Sequence, residues 1–225
     1  MSLTLNGQWM ELDLGTPLRV ISWAINRPGL VTAQHVIWRE VRNADLPPDL
    51  DVSDWFRGEL AARGRSDAVA FLTSRTLARH NRTQATVDGI TARCTATTGL
   101  SNAERIGTRT DYSARNWGTI NLCVSLSIGL TDAALIEAMS IAAQARTAAV
   151  MDAGVILPAG IATGTGTDCI AVAAPAGDCP YVGLHTPQGE ALGRTVYDAI
   201  YQGAMDWRGD YPHAKALPLK PKDTP

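Results

Sequence analysis

The chain has 225 residues, 45% of them apolar and 19% charged, with a formal net charge of −2 and a pI near 6.1. It is long and apolar enough to bury a substantial core, and this composition excludes a disordered chain. Its basic residues are scattered, with no run that would track a phosphate backbone, so neither nucleic acid nor an anionic membrane is an expected partner.

The opening "MSLTLNGQWMELDL" lacks a basic region followed by an apolar core, so it does not read as a signal peptide. No apolar run approaches the ~20 residues of a membrane span. Cys94, Cys123, Cys169 and Cys179 show no metal or redox spacing and read as reduced, small apolar residues of a cytoplasmic protein. Asn6-Gly7 marks a first hairpin. Leu18–Asn26 reads as a buried strand and Gly29–Val41 as a longer one. After the loop at 45–51, a short helix is expected from Ser53, as N-cap, to about Arg63. Asp67–Ser74 is β-rich, with a short helix considered around Leu77. "QATVDGITARCTATTGL" alternates around Asp88-Gly89 as a type I′ hairpin. "NWGTINLCVSLSIGL" continues as a strand with Thr119 and Asn121 on one face and Ile120, Leu122 and Val124 on the other.

Thr131 and Asp132 open the strongest helix, which ends at Gly154 and has an expected core stripe of Ile136, Met139, Ala143, Thr147 and Val150. Cys169–Pro175 is a short buried strand. A second long helix follows, with Thr186 as N-cap, Pro187 at its first position, and Leu192, Val196, Ile200 and Gly203 inward. No repeat or linker divides the chain. The expected fold is α+β: a single domain over 1–212, with a mixed or antiparallel sheet built from hairpins and two long helices packed on a face. Residues 213–225 form a Pro/Lys-rich tail.

Four stretches carry candidate chemistry. In "GIATGTGTDC", Thr163, Gly164, Thr165, Gly166 and Thr167 lead to Asp168. Glycine permits close backbone approach, and the hydroxyls and N–H groups form a row of donors for an oxyanion or amide. A self-bonded loop explains the same residues. In "GLHTPQGE", His185 precedes a helix whose first turn holds Glu190, and a carboxylate beside an imidazole suits a general acid or base. Glu137, Gln144 and Thr147 line one side of the first long helix. "TTGLSNAERIG" and "NWGTIN" place Asn102, Thr119 and Asn121 near strand ends. No protein-bound metal motif or standard nucleophile motif is present.

Taken in order, "GLSNAERIG", "GTIN", "ALIEA…QART", "ATGTGTD" and "HTPQGEALG" resemble the adenosylcobinamide amidohydrolase (CbiZ-type) family of corrinoid salvage. The resemblance covers about Arg19 to Ala204 and is strongest from Gly99 to Gly193. It implies hydrolysis of the amide between the corrin ring and the aminopropanol arm, giving adenosylcobyric acid. No cofactor is implied, since the cobalt belongs to the corrinoid substrate, and a homo-oligomer is compatible with the sequence. Gln144 and Arg146 stand where the family pattern has glutamate and lysine, which moves the expected catalytic residues to Glu190, His185 and Asp168. In that expectation Glu190 or Asp168 activates water, and His185 protonates the leaving amine. The threonine loop holds the oxyanion, while Asn102, Thr119 and Asn121 bond the corrin's peripheral amides. Self-cleavage exposing Thr165 or Thr167 is a rival mechanism. A non-catalytic corrinoid carrier and an amidohydrolase of another small amide are rival functions.

Overall fold

In the computed structural model, which describes residues 1–108 and 118–212, the chain begins with β1 (Ser2–Asn6) and β2 (Trp9–Ser22). Asn6 pairs with Trp9, and only Gly7 of the Gly7-Gln8 loop takes a positive φ, of 57°. The turn is therefore led by Gly7, the type II′ pattern, rather than centred on Asn6-Gly7. β2 returns against β3 (Gly29–Glu40) with a register shift between Asp13 and Leu18. That bulge joins what the sequence reads as separate strands into one, which ends at Ser22 rather than Asn26.

Helix α1 (Val52–Ala62) is capped by Asp51, whose side chain accepts from the Asp54 N–H at 3.0 Å, so Ser53 is already inside the helix. β4 (Val69–Thr73) follows, then a 3-10 turn at Leu77–Arg79. β5 (Asn81–Val87) and β6 (Ile90–Thr98) form the second hairpin, with Asp88 and Gly89 both at positive φ as a type I′ turn requires. Two-residue β7 (Ala103–Glu104) leads toward β8 (Ile120–Leu126) and then α2 (Asp132–Asp152), capped by Thr131. β9 (Ile156–Leu157) and β10 (Gly160–Ile161) pair with each other, and β11 (Gly164–Thr165) pairs with β7. β12 (Cys169–Ala174) and α3 (Pro187–Asp210), capped by Thr186, complete the described fold.

The main sheet has eight strands, in the order β4-β3-β2-β12-β8-β6-β5 with β1 added to β2. β3–β4 and β8–β12 are parallel and the rest antiparallel. This is the mixed α+β sheet expected, with the two long helices on one face. Residue parity sorts β8 as read: Ile120, Leu122 and Val124 join the core under α2 and α3. Cys123, Ala171 and Ala173 face the other way, into a core with Met10, Val36, Trp38 and Phe71. The β2–β3–β4 wing folds across that second face. The Trp38 indole N–H donates to the Asn121 carbonyl at 3.3 Å, and the Asn121 amide donates to the Leu72 carbonyl at 2.6 Å.

The expected stripe of α2 is inward only in part: Val150 is buried and Met139 and Ala143 pack against the core, but Ile136 is 61% exposed, and the centre of the buried face is Leu135, Ala138, Ile141, Ala142 and Ala149. Alanine occurs all round this helix, so spacing alone does not choose a face, and close packing against β12 and α3 does. The stripe of α3 is as expected, with Leu192, Val196, Ile200 and Gly203 buried. Asn116 and the tail 213–225 lie outside the described residues.

Candidate active site

The threonine–glycine loop runs from α2 and β10 into β12, and its shape is set by Asp168 at its end. One carboxylate oxygen accepts from the Thr165 N–H at 3.0 Å and from Arg146 Nη1 at 2.6 Å. The other accepts from the Thr165 hydroxyl and from the Ile120 N–H at 3.2 Å. The side chain is only 6% exposed. Burial pushes its pKa above the ordinary carboxylate value, while the Arg146 charge and the donors of Thr165 and Ile120 pull the other way. A carboxylate saturated by four donors is an anchor. It straps the loop to β8 and to α2 at once.

The remaining hydroxyls are also engaged. Thr163 Oγ1 accepts from the Ile106 N–H at 2.8 Å, and Thr163 N–H donates to the Glu104 carbonyl at 2.8 Å. Thr167 Oγ1 donates to the Gly118 carbonyl at 3.0 Å, and Thr119 Oγ1 donates to the Thr167 carbonyl at 2.7 Å. Asn102 Nδ2 reaches Thr167 Oγ1 at 3.3 Å, leaving its Oδ1 buried with no partner among the described residues. A side chain at Gly164 would displace the clamp, because a Cβ there would lie 1.8 Å from Arg146 Nη1 and 2.6 Å from Asp168 Oδ2. The glycine thus admits the guanidinium that clamps the loop.

A cavity opens on each side of this loop. The first, of about 380 Å³, is the more polar of the two and is bounded by Glu104, Arg105, Ile106, Arg146, Thr147 and Thr163–Gly166. The second, of about 280 Å³, is mostly apolar, with Phe71, Leu72 and Ile25 beside Thr119, Asn121, Thr167 and Cys169. Thr163–Gly166 border the first cavity and Thr167 the second, so the loop passes from one chamber to the other after Gly166. Asp168 lines neither.

Glu104 is the carboxylate that bounds the polar cavity among the described residues, and the sequence reading passed over it. It reaches the loop through the β7–β11 pairing, which sets Glu104 opposite Gly164 and Ala103 opposite Thr165. Two-residue strands 60 positions apart leave no periodic signal, so only the motif "GLSNAERIG" pointed to this segment. Arg146 was likewise noted only as a departure. It donates to the Thr163 carbonyl at 3.0 Å as well as to Asp168, and its Nε is buried with no partner among the described residues.

His185 and Glu190 lie elsewhere. Both are exposed at the head of α3, where Glu190 pairs with Arg194 at 2.6 Å. Glu137 of α2 is at that same end, accepting from the Val182 N–H at 2.6 Å. Arg146 follows nine residues later in α2, roughly 14 Å along the helix axis. The structure therefore does not bring His185 and Glu190 to Asp168. Gln144 donates to Ser140 Oγ at 3.0 Å and lines a shallow groove between α2 and α3, apart from the loop. Of the expected polar line on α2, Thr147 alone borders the polar cavity.

Among the described residues no helix is long and apolar enough to cross a membrane, and no group of three or more His, Cys, Asp or Glu is arranged to hold a metal ion. A family model described as adenosylcobinamide amidohydrolase, CbiZ, matches residues 3–212. The chain is 33% identical over 180 residues to a Halobacterium salinarum protein named adenosylcobinamide amidohydrolase, covering 73% of this chain and 71% of that one. A solved structure of the PH0078 protein from Pyrococcus horikoshii OT3 covers 87% of this chain and 76% of its own, with 10% identity and a TM-score of 0.40. By the family model and the curated relative together, the chain belongs to the adenosylcobinamide amidohydrolase family of enzymes.

Proposed function

We propose that the chain hydrolyses the amide between the corrin ring and the aminopropanol arm of adenosylcobinamide, yielding adenosylcobyric acid and 1-amino-2-propanol for corrinoid salvage in the cytoplasm. The observation that carries this reading is the convergence of Glu104, Arg146 and the Thr163–Gly166 loop on one cavity, in a chain of this family. At about 380 Å³ the cavity is at the lower end of ligand pockets, a size for the arm and its amide, with the macrocycle at the mouth. The cobalt enters as part of the substrate.

Hydrolysing an unstrained amide needs an activated water, a cradle for the tetrahedral oxyanion and a proton for the leaving amine. In the proposed mechanism Glu104 takes the proton of the attacking water and returns it to the amine nitrogen as the C–N bond breaks. The Arg146 guanidinium, held at the cavity wall by Asp168 and the Thr163 carbonyl, supplies the positive charge that stabilises the developing oxyanion, and the self-bonded loop fixes its position. Asp168 is a positioning residue, since it holds Arg146 and Thr165 without reaching the cavity. Thr119, Asn121 and Thr167 contribute polar contacts at the edge of the apolar chamber, against the corrin periphery.

The test is incubation with adenosylcobinamide, followed by chromatography for adenosylcobyric acid. Glu104→Gln should lower turnover by ~10²-fold or more while substrate still binds. Binding without any product from the unmodified chain would favour a corrinoid carrier. Neither binding nor product would favour an amidohydrolase of a different small amide.

A further inference from the structure

The sheet face turned away from α2 and α3 holds another polar cavity, of about 380 Å³, that the proposed chemistry does not use. Strand register assembles it. Arg82 stands opposite Thr95, Gln84 opposite Arg93, and Arg93 opposite Ser125, so all five side chains project from one face of β5, β6 and β8. Arg82 and Arg93 are diagonal cross-strand neighbours, with Cβ atoms ~7–8 Å apart. No carboxylate lines this cavity. Arg93 commits Nε to Gln84 Oε1 at 2.8 Å, which sets the guanidinium plane and leaves the terminal amino groups without an acceptor among the described residues. Arg82 has no acceptor among the described residues.

At the floor, Ser125 is 4% exposed, and its hydroxyl donates to the Met1 sulfur at 3.4 Å. A thioether is a weak acceptor, so this buried donor is poorly satisfied and would gain from an oxygen anion. Two like charges on one sheet face repel, and an anion shared between them removes that cost. The donors also outnumber what one carboxylate can accept, whereas a phosphoryl group offers three oxygens and a charge near −2 that balances two guanidiniums. The volume exceeds a bare ion, leaving room for a body against Leu12 and Met1.

We propose that this cavity binds a phosphate ester of nucleotide or sugar-phosphate size, with its phosphoryl group between Arg82 and Arg93. The site is remote from the threonine loop. Ser125 lies four residues along β8 from Asn121, ~13 Å, and the buried layer of Trp38 and Val36 packs between the sheet wing and β8.

Calorimetric titration of the full chain with adenosine, guanosine, cytidine and uridine 5′-monophosphates, ribose 5-phosphate and inorganic phosphate tests this. Saturable binding of at least one ester is expected, weakened about tenfold or more by Arg82→Gln and by Arg93→Gln. The double variant should lose binding while keeping its circular dichroism and its amide hydrolysis. No saturable binding at millimolar probe would overturn the proposal. So would binding untouched by both substitutions, or binding of inorganic phosphate as tight as that of every ester. Because the readout is affinity, the result is independent of whether the chain cleaves adenosylcobinamide.

Discussion

Asp168 and Gly164 act as a pair: the glycine leaves the space into which Arg146 extends, and the aspartate holds the guanidinium there. Gly164→Ala is expected to expel Arg146 from the loop and reduce adenosylcobinamide turnover by ~10²-fold, the scale of losing one oxyanion donor. Steady-state kinetics with a circular dichroism control measure this, and near-normal turnover would show that the clamp is dispensable. Cys169, next in sequence, makes a second point about this corner. Burial, reinforced by the neighbouring Asp168 charge, pushes its thiol up to about 11. The neutral thiol is thus the form present near pH 7, and it is a poor nucleophile. Iodoacetamide should modify Cys169 far more slowly than a free thiol at pH 8, with the rate rising as pH approaches 11, as followed by peptide mass spectrometry. The donor-rich loop was legible from its threonines and glycines. The direction of those donors was not, because most bond to Gly118, Glu104 and Asp168, residues whose positions depend on the tertiary fold.

α3 is the element the sequence describes best, since a Thr-Pro start and one clear apolar stripe agree with each other. α2 has both ends where the sequence puts them but its buried face is shifted off Ile136, because alanines on every side carry no directional signal. The first hairpin and the strand expected from Leu18 are one strand, β2, because the residues between Asp13 and Leu18, Gly15 and Pro17 among them, form a bulge within it. The head of α3 packs too closely for any side chain at Gly189, where a Cβ would lie 2.2 Å from the Gly183 carbonyl oxygen and 2.4 Å from that of Val182. Gly189→Ala should therefore cost ~1–3 kcal/mol in urea unfolding, because backbone atoms cannot rotate aside. The folded fraction should retain its kcat, since that end of α3 is remote from the threonine loop. A wild-type midpoint would show that the Val182–Gly183 turn yields easily.

At the scale of the whole molecule, the mixed sheet and its helical face followed from hairpin and helix patterns, but the curling of the β2–β3–β4 wing over the second face did not. That curl depends on β2–β12 and β3–β4 pairings between distant segments, and sequence parity says which residues share a face without saying what covers it. The same long-range assembly separates the two motif clusters, placing His185 and Glu190 at one end of α2 and the threonine loop toward the other. The central claim is that amide hydrolysis takes place in the cavity bounded by Glu104 and the Thr163–Gly166 loop. Single-turnover conversion of adenosylcobinamide to adenosylcobyric acid, with enzyme in excess, measures this directly for the wild type, Glu104→Gln, and the His185→Ala/Glu190→Gln double variant. The account predicts loss of ~10²-fold or more in Glu104→Gln and a rate within about threefold of wild type in the double variant. The reverse, a fast Glu104→Gln and a silent double variant, would contradict it and move the chemistry to the head of α3.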